Sequence, residues 1–149
     1  METIKLIFDL EVEDGFPPIS AEALHARPAQ AGGFIVDNTP FFVEGIAAGD
    51  RVAAVPIEGV EQKYRFVEVL EASSNKAISI IFLNPHVVDV VRDELRLRGC
   101  YTEYGRFGKS DDVELLAVSV PESCDYESLR DYLTQLVERE QLSVAELAV

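Results

Sequence analysis

Apolar and polar residues alternate with a period of two through much of residues 1–72, and the rhythm becomes mixed thereafter. Ile4, Leu6, Phe8 and Leu10 share one face of a strand-like run. Asp14-Gly15-Phe16-Pro17-Pro18 ends it, because glycine admits unusual backbone angles and each proline removes a ladder donor. Ser20 to Arg27 reads as the next strand, although Ala21-Glu22-Ala23-Leu24 would also support a helical turn. Gly32-Gly33 punctuates, and Gly33 to Asp37 extends again. Arg51 to Val55 and the cleanly alternating Tyr64 to Leu70 follow. Short strands separated by tight turns predict a small, strongly curled antiparallel sheet with a barrel-like form.

From residue 77 the pattern is different. Ala77 to Leu83 is a continuous apolar run with β-branched residues, the signature of a buried central strand. Asn84-Pro85 offers an N-cap and a proline at the first helical position. Val87, Val88, Val91 and Leu95 then recur at helical spacing up to Gly99. Strands are expected over Cys100 to Arg106 and Glu114 to Val120, joined by a turn over Gly108 to Asp112. Asp125 can cap a helix with Leu129, Leu133, Leu136 and Val137 on one stripe. Leu142 to Val149 closes as a strand. The order β-α-β-β-α-β predicts a ferredoxin-like half. The expected fold is α+β, with a β-rich subdomain at 1–72 and an α+β subdomain at 77–149 packed as one unit. Residues 71–76 form the junction.

The stretch Asp37 to Asp50 joins two β-rich runs, and its paired Phe41 and Phe42 are too apolar for an ordinary surface loop. Asn38, ahead of Thr39-Pro40, can bond its own backbone in an Asx-type turn. In an extended segment the two rings point apart, and in a helical turn they diverge less. One would enter the barrel core while the other faces the second half, making the stretch a structural clasp.

Charge adds a second feature. The 149-residue chain carries a formal net charge of −14. Residues 1–50 contribute −7, residues 51–110 contribute +1 and residues 111–149 contribute −8. Such a field opposes nucleic acid and anionic membranes and favours a basic protein partner, although acidity also serves plain solubility. No apolar run is long enough to span a bilayer, and the N-terminus lacks the layout of a secretory signal. Two cysteines, Cys100 and Cys124, make no disulfide framework. A cytoplasmic protein with reduced thiols is the expectation.

Candidate chemistry is sparse. Gly105 to Ser110 ends like a phosphate-binding loop, but Glu103 stands where the first glycine is required, and Asp111-Asp112 follow the Lys-Ser pair. His25 and His86 lack metal-ligand spacing, so neither a metal nor a cofactor is expected. Cys100 and Cys124 sit at element boundaries, where small side chains pack well. Carboxylates are too numerous for any pair to stand out as catalytic. Arg92, Arg96, Arg98, Arg106 and Lys109, interleaved with Tyr101, Tyr104 and Phe107, form a locally basic-aromatic window interrupted by Asp93, Glu94 and Glu103.

Asp14-Gly15-Phe16-Pro17-Pro18 with Glu22 and Leu24, Asp37-Asn38-Thr39-Pro40-Phe41-Phe42 and Gly49-Asp50 resemble a bacterial family, the domain of unknown function 4265 family. Gly99-Cys100-Tyr101-Thr102-Glu103 and Ala117-Val118-Ser119-Val120-Pro121 fit its later part. His25 stands where that pattern usually has tryptophan, and Ser73-Ser74-Asn75 lacks the usual glycine. The resemblance implies a shared fold and a bacterial source, and it brings no activity and no catalytic residue.

Three functions fit these readings. The leading one is a non-enzymatic, acidic immunity or inhibitor protein that neutralises a basic toxin such as a nuclease. A small-molecule binder or enzyme would instead have its pocket where the two subdomains meet, using Phe16, Asp37, Asn38, Phe41, Phe42 and Asp50. An RNA-binding or RNase-regulating protein would use the Arg92–Lys109 window.

Overall fold

The computed structural model describes residues 2–149. The first half is a closed barrel of five strands: β1 (Ile4–Asp9), β2 (Ala21–Pro28), β3 (Phe34–Val36), β4 (Arg51–Pro56) and β5 (Lys63–Glu71). Ser20 to Arg27 resolves as strand, not helix, because alternation buries Glu22, Leu24 and Ala26 and exposes their neighbours. Successive strands pair antiparallel, but β1 closes on β5 in parallel, with Leu6 opposite Tyr64. The sheet is therefore not wholly antiparallel. An up-and-down run with an odd number of strands leaves its first and last members pointing the same way, so closure requires one parallel pair. Ile4, Leu6, Phe8, Leu24, Val36 and Val52 fill the interior.

The second half contains β6 (Lys76–Phe82), α1 (Val88–Leu97), β7 (Tyr101–Phe107), β8 (Val113–Val120), α2 (Tyr126–Glu138) and β9 (Leu142–Ala148). Its four strands form an antiparallel sheet in the order β7-β8-β6-β9. Asn84 accepts from the His86 N–H but caps a short 3-10 turn, Pro85–Val87, and the α-helix begins one residue later. Asp125 caps α2 through the Ser128 N–H at 3.1 Å. Both helices cover one sheet face: Val91, Leu95, Leu129 and Leu133 pack on Ile78, Ile80, Leu116 and Val118. Val137, expected on the packed stripe of α2, lies exposed at its edge. The fold is thus mixed α+β, and no helix among the described residues is long and apolar enough to cross a membrane.

Cys100 and Cys124 are free thiols with their sulfurs 4.0 Å apart, beside the C-terminal end of α1 and the N-terminal end of α2. Burial, reinforced by the neighbouring Cys124, pushes the Cys100 thiol up to about 12. Cys100 in a Cys124→Ser variant should react with a thiol reagent at pH 8 at least about a hundredfold more slowly than an unhindered peptide cysteine, and faster as pH rises. A rate equal to that of the free thiol would contradict this burial.

Candidate functional site

Strand alternation turns Glu22 toward the barrel interior, in line with Leu24 and Ala26, and the residue is only 6% exposed. Its carboxylate accepts three successive backbone N–H groups from the following crossover segment: Phe41 at 2.7 Å, Phe42 at 3.0 Å and Val43 at 3.0 Å. Convergent amides of this kind form a concave anion cradle, which compensates the lost hydration of the charge. Val43 and Ile46 then enter the barrel core.

A second carboxylate fixes the far end of the segment. Asp50 is 4% exposed and accepts from Ala47 N at 3.0 Å and from Ser73 N at 2.8 Å. Ser73 Oγ and Asn75 Nδ2 both donate to Ala48 O at 2.8 Å. The junction between the halves is therefore bonded to the segment rather than loose. Gly49, at φ +89°, brings the chain so close that an added Cβ would lie 3.2 Å from Ser73 Cβ. At the near end, Asn38 Oδ1 accepts from His25 N at 2.7 Å, whereas an Asx turn would have satisfied its own backbone. Asp37 pairs with Arg27 at 3.2 Å.

Phe41 and Phe42 are both half-buried, and both pack edge-on against Phe107 of β7, with centroids 5.0 and 5.1 Å away. The expected division, one ring in the core and one outside, is not adopted. Their amides turn together onto Glu22, so the segment is not extended, and Val43 and Ile46 supply the core contacts instead. Gly105 makes room for this packing, since a Cβ there would stand 2.9 Å from Phe41 Cζ. Gly45 N donates to Leu147 O at 2.8 Å, and Ala47 packs with Ala77 and Leu147. The segment therefore ties the barrel to the sheet face that carries no helix.

Beside this tie lies a cleft of about 730 Å³, within the usual range for organic ligands. Its floor is the helix-free sheet face, with Ser79, Ile81, Leu115, Ala145 and Leu147. Ser79 and Ala145, both small, are opposed on neighbouring strands of that floor. Phe41 and Phe42 form one wall, and Ile7, Leu10 and Phe66 contribute from the barrel. Phe16 reaches the cleft from a tight turn in which Asp14 and Gly15 both have positive φ, and it meets Phe42 edge-on at 5.8 Å. Asp9, Glu11, Glu13, Glu44 and Arg65 supply charge. Arg65 is ion-paired with Asp9. Among the described residues, no cation pairs with Glu11, Glu13 or Glu44. Ser79 is 2% exposed, and its Oγ has no hydrogen-bond partner among the described residues.

Of the six residues singled out from sequence, Phe16, Phe41 and Phe42 line the cleft, whereas Asp37, Asn38 and Asp50 anchor the segment behind it. The basic-aromatic window is dispersed. Arg98 binds Glu94 and Ser128, Arg106 binds Tyr104 and Glu114, and Phe107 joins the aromatic tie. No group of three or more potential metal ligands occurs among the described residues. Sequence reading missed Ser79 and the charged lining, and saw Glu22 only as part of a family pattern. A carboxylate at an inward strand position was the available signal.

The family model for DUF4265, a domain of unknown function, matches residues 22–144. The chain belongs to this family. The match begins at the cradle carboxylate itself and runs into β9, so it takes in the crossover segment, Phe107 and the Ser79, Ile81 and Leu115 part of the cleft floor, and it stops before Ala145 and Leu147. A solved structure of a hypothetical protein from Neisseria gonorrhoeae has the same fold: it superposes with a TM-score of 0.70 at 20% identity, covering 98% of this chain and 93% of that one. No curated protein matches the DUF4265 chain.

Glu22→Ala should destabilise the protein by roughly 2–4 kcal/mol, since it strands amides that are buried or half-buried, and Glu22→Gln should lose less because one oxygen acceptor survives. Urea unfolding measures both. A loss for Glu22→Ala below about 0.5 kcal/mol, the range of ordinary surface substitutions, would contradict the cradle.

Proposed function

We propose that this DUF4265 protein is a non-catalytic binding protein that holds a small organic ligand in the cleft between barrel and sheet. The observation that carries this reading is the cleft itself: a hollow of about 730 Å³ walled by phenylalanines, with a buried, unpartnered hydroxyl in its floor. Among the described residues its lining has no histidine, cysteine or lysine, which favours binding over nucleophilic chemistry. In this reading the two halves, 1–72 and 77–149, are subdomains that create the site by meeting. The second has the ferredoxin-like arrangement, supported by the order β7-β8-β6-β9 and by both helices lying on one face. A cytoplasmic setting suits two adjacent thiols that stay reduced.

A second reading, neutralisation of a basic protein such as a nuclease toxin, is supported by the net charge of −14. Arg27, Arg51, Arg65, Arg96, Arg98, Arg106 and Arg130 are already ion-paired, which leaves the surface dominated by acids.

Nile red, a neutral apolar dye, tests the cleft. It should bind saturably at one site, and Ala145→Trp, which fills the floor from an exposed edge-strand position, should weaken binding by about tenfold or more. Absence of saturable binding, or equal binding by Ala145→Trp, would contradict the proposal.

A further inference from the structure

The charged groups of the cleft are arranged unequally. Four carboxylates, those of Asp9, Glu11, Glu13 and Glu44, line it against a single cation, Arg65. Asp9 already occupies Arg65. That leaves three unpaired acids facing the same hollow as the rings of Phe16 and Phe42. Carboxylates beside low-dielectric aromatic walls attract a cation through charge, and the ring faces add a cation–π component. An anionic ligand would meet three like charges and could reach Arg65 only by displacing Asp9.

The floor adds an independent requirement. Ser79 sits on β6, one of the two inner strands of the sheet, and its Oγ is buried without a partner among the described residues. A hydroxyl in such a place is under-satisfied unless a water or a bound molecule reaches it, and it can donate to or accept from that molecule. Ala in its place would have filled the same position of the sheet without that polarity.

We infer that the cleft is built for organic amines: a small molecule with an apolar body, an ammonium group held among Glu11, Glu13 and Glu44, and a hydrogen-bonding group that reaches Ser79. The inference rests on the cleft being a ligand site and adds the class of ligand. An inorganic cation alone would leave the apolar floor and walls unused.

Competition against bound Nile red distinguishes the two levels. Phenethylamine should displace the dye with at least about tenfold higher affinity than phenylacetate, which has a similar body and opposite charge, and phenethyl alcohol should fall between them. The amine's advantage should shrink as salt is raised, because these carboxylates stand at a partly open site. In a Glu11→Gln/Glu13→Gln/Glu44→Gln variant, Nile red should still bind and the advantage of the amine over the acid should fall to about threefold or less. Tyramine should bind more tightly than phenethylamine to the native protein, and the difference should vanish in Ser79→Ala. If Nile red binds but phenylacetate competes as well as phenethylamine, or the amine preference survives in the triple variant, the inference is overturned while the cleft reading stands. If tyramine shows no advantage, Ser79 has no role in recognition. If Nile red itself fails to bind the native protein, both readings fall.

Discussion

A carboxylate turned toward the interior of a five-stranded barrel loses hydration worth several kcal/mol unless the protein replaces it. Here the replacement is made by the chain itself, since three consecutive amides of the crossover segment converge on Glu22. Charge and segment stabilise each other: without the amides the carboxylate is unsolvated, and without the carboxylate the amides have no acceptor. The crossover is thereby held in one conformation, with Val43 and Ile46 directed into the barrel and Phe41 and Phe42 directed out of it.

The geometry of the cleft follows from that constraint. The two rings are fixed against Phe107, Gly45 is bonded to Leu147 and Ala47 packs with Ala77, so the crossover holds barrel and sheet together. Beside these contacts the sheet floor carries the small Ser79 and Ala145 among Ile81, Leu115 and Leu147, and the cleft lies between it and β1. On the other face of the sheet Ile78, Ile80, Leu116 and Val118 pack beneath the helices. The same strands therefore make a dense core on one side and a hollow on the other.

Much of the architecture was legible because alternation and capping are local. Ile4, Leu6 and Phe8 announced an inward face, and Asp125 announced the start of α2. Counting strands would also have exposed the parallel closure, since five alternating strands cannot close otherwise. The site was less legible for a physical reason: its defining contacts join distant residues. Glu22 meets its amides 19 to 21 positions along the chain. Phe107 neighbours Arg106 in sequence but points to the opposite face of β7, so grouping it with the cations joined residues that the sheet separates. Ser79 lies within an apolar run, where a single hydroxyl carries no distinctive pattern. Phe41 and Phe42 were marked by their hydrophobicity, yet their direction depended on a carboxylate from another strand.

Hydrogen exchange at the amides of Phe41, Phe42 and Val43 addresses the cradle most directly. They belong to a crossover without regular secondary structure, where exposed loops ordinarily exchange near the rate of an unfolded chain. The account predicts that in the native protein all three exchange as slowly as the strand amides of Leu24 and Val52, through the same cooperative opening. Exchange of the three at loop-like rates while Leu24 and Val52 remain protected would contradict it.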